Sequence, residues 1–175
     1  AEMSDRIMAA TSQSGIGLTL LPVLYQFGGC DLRPLVRGQN RFHNNLDDFA
    51  RLIDLVQTSV AKLNPDAQFG IAAHSLRAVV PDSIAAIRAM AASRPFHMHV
   101  AEQRAEIEEV KAALGARPVE WLLDNTDIDE TCCLIHCTQM LTDETERLAR
   151  SGAVAGLCPI TESSLGDGIF DGVNW

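Results

Sequence analysis

The sequence has few aromatic residues and few basic ones. Aromatics make up 5% of 175 residues against 47% hydrophobic residues overall, so a core must be built chiefly from Ala, Leu, Ile and Val. Lys and Arg number 14 against 23 Asp and Glu, a formal net charge of -9. An acidic chain without a basic stripe argues against a nucleic-acid partner. No apolar run approaches the ~20 residues of a membrane span, so no membrane partner is expected. The opening Ala1-Glu2-Met3-Ser4-Asp5 has neither the basic start nor the apolar stretch of a signal peptide. Repeats and low-complexity segments are absent, and no Gly-rich phosphate loop follows the first strand-like run.

The cysteines are five, an odd number, at Cys30, Cys132, Cys133, Cys137 and Cys158. Several sit in apolar strand-like runs, and none shows the paired spacing of a zinc ribbon. They read as reduced core thiols of a cytoplasmic protein.

Hydrophobic periodicity switches repeatedly between helix and strand. Helices are expected over 2–14, 47–63, 81–92, 105–114, 118–123 and 142–150, the last capped by Thr142. Strands are expected over 16–24, 69–74, 96–100, 131–136 and 153–158. The long Gly-containing segment 25–45 reads as a binding loop or lid, and the tail from Pro159 to Trp175 as loop. The acidic run Glu106, Glu108, Glu109 reads as a solvated helix face, and His43 as a loop residue. Asp167, between glycines, is a turn residue or a substrate contact. Strands alternating with helices imply a parallel sheet, and near-continuous apolar strands imply burial on both faces.

Polar residues mark the strand ends. His74, His99 and His136 end successive strands, and in a β/α barrel those ends form the rim that carries the active site. In Phe96-His97-Met98-His99-Val100-Ala101-Glu102 the strand alternation puts His97 and His99 on one face, with Glu102 just beyond. His97, flanked by Phe96 and Met98, reads as a packing residue. An imidazole that can hold an ion and a carboxylate that can move protons are the parts needed for metal-assisted hydrolysis.

The elements Ala73-His74-Ser75-Leu76-Arg77-Ala78-Val79, His97-Met98-His99-Val100-Ala101-Glu102, Leu134-Ile135-His136-Cys137-Thr138 and Leu157-Cys158-Pro159 resemble the amidohydrolase superfamily. Within it, the run Gly17 to Tyr25 and the tail Thr161-Glu162-Ser163-Ser164-Leu165-Gly166-Asp167-Gly168 are most similar to the formimidoylglutamate deiminases. The resemblance implies an α/β fold: a partial (β/α)8 TIM-type barrel of about five parallel strands, barrel strands three to seven. It implies a metal-dependent deiminase that hydrolyses N-formimino-L-glutamate to N-formyl-L-glutamate and ammonia, in histidine breakdown. By position it makes His99 a metal ligand, Glu102 and His136 catalytic, and His74 and Arg77 substrate-binding. The implied cofactor is one divalent metal, zinc or iron, and the implied partner a small anionic amino-acid derivative.

Gln139 stands where that family normally has His, and Ile160 where it has Thr. The family's first-strand His-x-His, eighth-strand Asp and flanking β-sandwich have no counterpart in these residues, and a complete barrel takes about 250 residues. The expectation is therefore an internal fragment, one partial barrel domain over 1–175, that holds metal weakly and turns over little. Unpartnered strand edges lead to an expected homo-oligomer. Other readings are an aminohydrolase acting on a purine or triazine ring, and a non-catalytic, self-assembling barrel fragment.

Overall fold

The computed structural model describes residues 2–175. Helix α1 (Glu2–Ser14) is followed by strands β1 (Leu18–Leu20) and β2 (Val23–Leu24), then helix α2 (Leu46–Val60). Next come β3 (Ala67–Phe69), β4 (Ile71–Ala73), α3 (Pro81–Ala91), β5 (Phe96–Val100), α4 (Arg104–Leu114) and α5 (Pro118–Asn125). The chain ends with β6 (Cys132–His136), α6 (Thr142–Arg150), β7 (Val154–Gly156) and α7 (Pro159–Leu165).

All strand pairings are parallel, in the order β2-β4-β5-β6-β7, with β1 beside β3. Each expected run at the start of the sheet is broken in two. Leu21-Pro22 interrupts the first, since proline cannot donate to a ladder, and Gly70 interrupts the second. The ladder nevertheless continues through Gly70 N–H to Leu20 O (3.0 Å) and Ala72 N–H to Pro22 O (2.9 Å). A Cβ on Gly70 would lie 2.3 Å from Pro95 O, so only glycine allows this approach.

Alternation sorts the two faces. Ile71, Ala73, Phe96, Met98, Val100, Cys132 and Leu134 pack with Phe49 of α2, Ile84 and Ile87 of α3, Val110 of α4, Leu122 of α5 and Leu148 of α6 in one core. Large side chains buried this fully contribute roughly 1.5–3 kcal/mol each. Met8, Leu20, Val56 and Val60 form a smaller cluster under α1 and α2. The opposite face carries half-buried His97, His99, Cys133 and Ile135, in register with one another. There, a Cβ on Gly156 would meet Ile135 Cδ1 at 2.5 Å, so the bulk of Ile135 matches the missing side chain. The fold is the expected parallel β/α arc.

Three local expectations are corrected. The start of the tail is helix α7, with Pro159 in its first turn, where proline's fixed φ suits a helix. Helix α6 is capped by Leu141, whose N–H donates to Glu144 Oε2 at 2.7 Å; Thr142 lies inside the helix. The acidic run of α4 is not a solvated face: Glu106 is 1% exposed, Glu109 is half-buried, and only Glu108 faces solvent.

Candidate active site

The strand ends bring the expected residues to one rim. The His74 and His99 ring centroids are 5.3 Å apart, and those of His99 and His136 are 5.6 Å apart in a stacked arrangement. Alternation alone would put His136 on the helix side with Cys132 and Leu134. Its φ of 78°, followed by 53° at Cys137, breaks the alternation and lets the ring stack on His99. Ala101, just past β5, has φ 52°. Left-handed backbone at non-glycine residues is costly and concentrates at functional sites.

His99 Nδ1 lies 2.9 Å from His74 O. A carbonyl only accepts, so a neutral His99 carries its proton on Nδ1 and keeps the Nε2 lone pair free. Metal-binding imidazoles are held in this way. His74 Nδ1 is 3.0 Å from Ser75 Oγ. Burial, reinforced by the neighbouring His99 and Arg77, lowers the His74 pKa to about 4.

Glu102 Oε1 lies 3.2 Å from His136 Nε2. On the other side of the ring, Glu162 Oε1 is 3.2 Å from His136 Nδ1 and accepts the Cys158 N–H at 2.8 Å. His136, Cys158 and Glu162 present three potential ligand atoms within 4.8 Å of one another, a group that does not include His99. Glu162 Oε1 already accepts two hydrogen bonds.

Arg77 Nη2 lies 4.0 Å from Glu102 Oε2 and 3.8 Å from Glu106 Oε2, and its Nε is buried without a partner. The fork therefore has unused donor capacity facing the same region as Glu102, as carboxylate recognition requires. Glu106 accepts the N–H groups of Ala101 (2.9 Å) and Glu102 (3.0 Å), which fixes the turn that carries Glu102. Burial raises the Glu106 pKa; Arg77 and the two backbone donors oppose that shift.

Beside His74 and His99 is a cavity of about 350 Å³ lined also by Val23, Tyr25, Gln39 and Phe42. The edge of Tyr25 meets the His74 ring at 4.5 Å between centroids, and Tyr25 OH accepts from Gln39 Nε2 at 2.9 Å. Gln39 and Phe42 belong to the long loop 25–45. Glu109 fastens that loop to α4 by accepting from Cys30 N–H and pairing with Arg33. His43 is exposed, as expected. Asp167 is buried, with Oδ2 unpartnered, so it is no simple surface turn.

The sequence reading missed Glu106 and Glu162. For Glu162 a signal was present: Cys158-Pro159 opens a helix, and Glu162 falls in its first turn.

A rim of strand-end imidazoles with a carboxylate among them, on a parallel β/α arc, defines the class. The chain belongs to the amidohydrolase family, which residues 4–172 match. It is 44% identical over 171 residues to formimidoylglutamate deiminase of Pseudomonas aeruginosa, covering 97% of this chain and 37% of that protein. A 5-methylthioadenosine/S-adenosylhomocysteine deaminase of Desulfovibrio desulfuricans is 34% identical over 94 residues, 53% of this chain and 21% of that protein. The crystal structure of an amidohydrolase from Brucella melitensis superposes with a TM-score of 0.95 at 47% identity, covering 99% of this chain and 38% of that one. An adenosine deaminase from Xanthomonas campestris with bound zinc shares the fold at a TM-score of 0.78 and 20% identity, covering 93% of this chain and 35% of that one. The chain thus spans little more than a third of the length of the deiminase and of the two solved relatives.

Proposed function

We propose that these residues form part of the active site of a metal-dependent deiminase that hydrolyses N-formimino-L-glutamate to N-formyl-L-glutamate and ammonia. The observation that carries the reading is the placement of Glu102 between His136 and Arg77, beside His99. The identity to a formimidoylglutamate deiminase supports the substrate.

His99 Nε2 fits a divalent ion, zinc or iron, and would hold it together with ligands beyond this chain. The ion supplies Lewis acidity that makes hydroxide available near pH ~7. Glu102 carries a proton from the attacking water to the nitrogen that leaves as ammonia. His136, with Nε2 3.2 Å from Glu102 Oε1, orients that carboxylate and shares the proton. Arg77 pairs with a substrate carboxylate, and neutral His74 donates or accepts a hydrogen bond beside it. The positive fork accounts for anion binding by an acidic chain.

The test is ammonia release from N-formimino-L-glutamate, assayed with added zinc or iron for the 175-residue chain and for its full coding sequence. Turnover is expected in the full coding sequence and little in the chain alone. Glu102→Gln should remove roughly 10²–10⁴ of kcat, and Arg77→Ala should act mainly on KM. Unchanged kinetics in Arg77→Ala would overturn the carboxylate anchor.

One observation favours a second reading, an aminohydrolase acting on a purine or triazine ring. The cavity beside His74 is walled by Tyr25 and Phe42, which offer stacking surfaces. Release of ammonia from 5-methylthioadenosine in preference to N-formimino-L-glutamate would decide for it. Self-association is part of the proposal as well: exposed Val154 on β7 and the half-buried inner face leave apolar surface uncovered. A stable monomer at micromolar concentration in sedimentation would exclude self-association.

A further inference from the structure

Glu162 is a buried carboxylate that the reaction above does not use. It is 5% exposed. Its own backbone carbonyl accepts the Asp167 N–H at 2.9 Å, so the residue is tied at both ends. Its Oε1 serves two donors, the Cys158 N–H at 2.8 Å and His136 Nδ1 at 3.2 Å. Across the ring, His136 Nε2 faces Glu102 Oε1 at 3.2 Å. The imidazole therefore lies between a carboxylate at the reacting rim and a carboxylate buried behind it. His136 also sits on left-handed backbone, φ 78°, where strand alternation no longer dictates the direction of its ring.

We infer that Glu162 is a positioning residue for deimination: it keeps the proton on His136 Nδ1 and directs Nε2 at Glu102. The inference rests on the reading that His136 and Glu102 act together. An ionised carboxylate accepts and cannot donate, so the ring donates from Nδ1 to Glu162, and Nε2 meets Glu102 as an acceptor when Glu102 carries the proton that it moves. The hydrogen bond made by one imidazole nitrogen sets the role of the other. The Cys158 N–H holds the accepting oxygen in place, so the ring orientation is built into the turn that starts α7.

The test uses the ¹⁵N-labelled 175-residue chain in chelator, with the His136 nitrogens identified by their loss in His136→Asn. Wild type should show a protonated, pyrrole-type Nδ1. Glu162→Gln retains an accepting oxygen and should keep that signature. Glu162→Ala should move Nδ1 toward the unprotonated type. Should Glu162→Ala not fold, Glu162→Asp, one methylene shorter, should give the same displacement. In the full coding sequence, Glu162→Ala should lower kcat roughly 10²-fold, the scale of general acid–base catalysis, with KM changed little and Glu162→Gln close to wild type. Nitrogen signals unchanged in a folded Glu162→Ala, or an unchanged kcat, would overturn the inference. The spectroscopic arm needs no turnover. Displaced signals in a protein inactive on N-formimino-L-glutamate would support the hold on His136 and overturn the substrate reading instead.

Discussion

The carbonyl oxygen of His74 accepts from both the backbone N–H of His99, at 3.2 Å, and its ring Nδ1, at 2.9 Å. One strand end thus fixes the tautomer of the imidazole on the next and leaves its Nε2 free for a ligand. Catalytic zinc usually has about three protein ligands, and one imidazole is a loose site. The 175-residue chain loaded with zinc and dialysed should retain well under one ion per chain by elemental analysis. His99→Gln should remove what remains. One tightly held ion per chain would overturn the assignment of His99 as a lone ligand.

Behind the site, half-buried Arg77 approaches buried Glu106 at 3.8 Å. Removing the carboxylate leaves the Ala101 and Glu102 N–H groups unpaired and Arg77 with only a distant partner. Each N–H left unpaired costs about 1–3 kcal/mol. Glu106→Ala should show a loss of that order in urea unfolding. Adding Arg77→Met should recover part of it, because the uncompensated charge is then gone. Additive losses in the double variant would exclude coupling between the two.

The strand-end imidazoles were legible because position and chemistry coincide in a parallel β/α chain. Phe96 to Glu102 announces a strand, its inner face and a carboxylate beyond its end. Glu106 was not legible, because helical spacing in an acidic run reads as a solvated face. What holds Glu106 inward is a backbone feature that side-chain spacing does not announce: the positive φ at Ala101 accompanies two N–H groups turned onto it. Glu162 was legible as a residue of the first turn of a helix but not as the partner of His136, which lies 26 residues earlier at the end of β6. The breaks at Leu21-Pro22 and Gly70 were visible as residues. Their effect on the ladder depends on the neighbouring strand and on Pro95.

Backbone strain is also found away from the site, at Ala92. Ala92 ends α3 with φ 52° and ψ −117°, a conformation that suits glycine, and it is exposed. A side chain in left-handed backbone costs roughly 1–2 kcal/mol. Ala92→Gly should therefore stabilise the chain by about 1 kcal/mol, less than the full strain because glycine also gains freedom when unfolded. That corresponds to a rise in Tm of roughly 2–4 °C for a chain of this size. A lower Tm would place Ala92 in ordinary backbone.

Cys30 gives a pH dependence of defined sign. Burial, then the Glu109 carboxylate, raises its thiol pKa from 9.0 to about 11, with Arg77 and Arg33 opposing the shift and Glu106 adding to it. The fold favours the neutral thiol, whereas the unfolded chain releases the proton at its ordinary pKa. The stabilising contribution is thus complete below pH 9 and declines as pH rises from 9 toward 11. Cys30→Ser lacks this titration and can still donate to Leu76 O, the present partner of the sulfur. Urea midpoints measured across that window should fall more steeply for wild type than for Cys30→Ser. The remaining cysteines are common to both proteins and cancel in the comparison. Equal slopes would mean that the Cys30 thiol titrates as freely in the folded chain as in the unfolded one, and that the packing of loop 25–45 on α4 does not shield it.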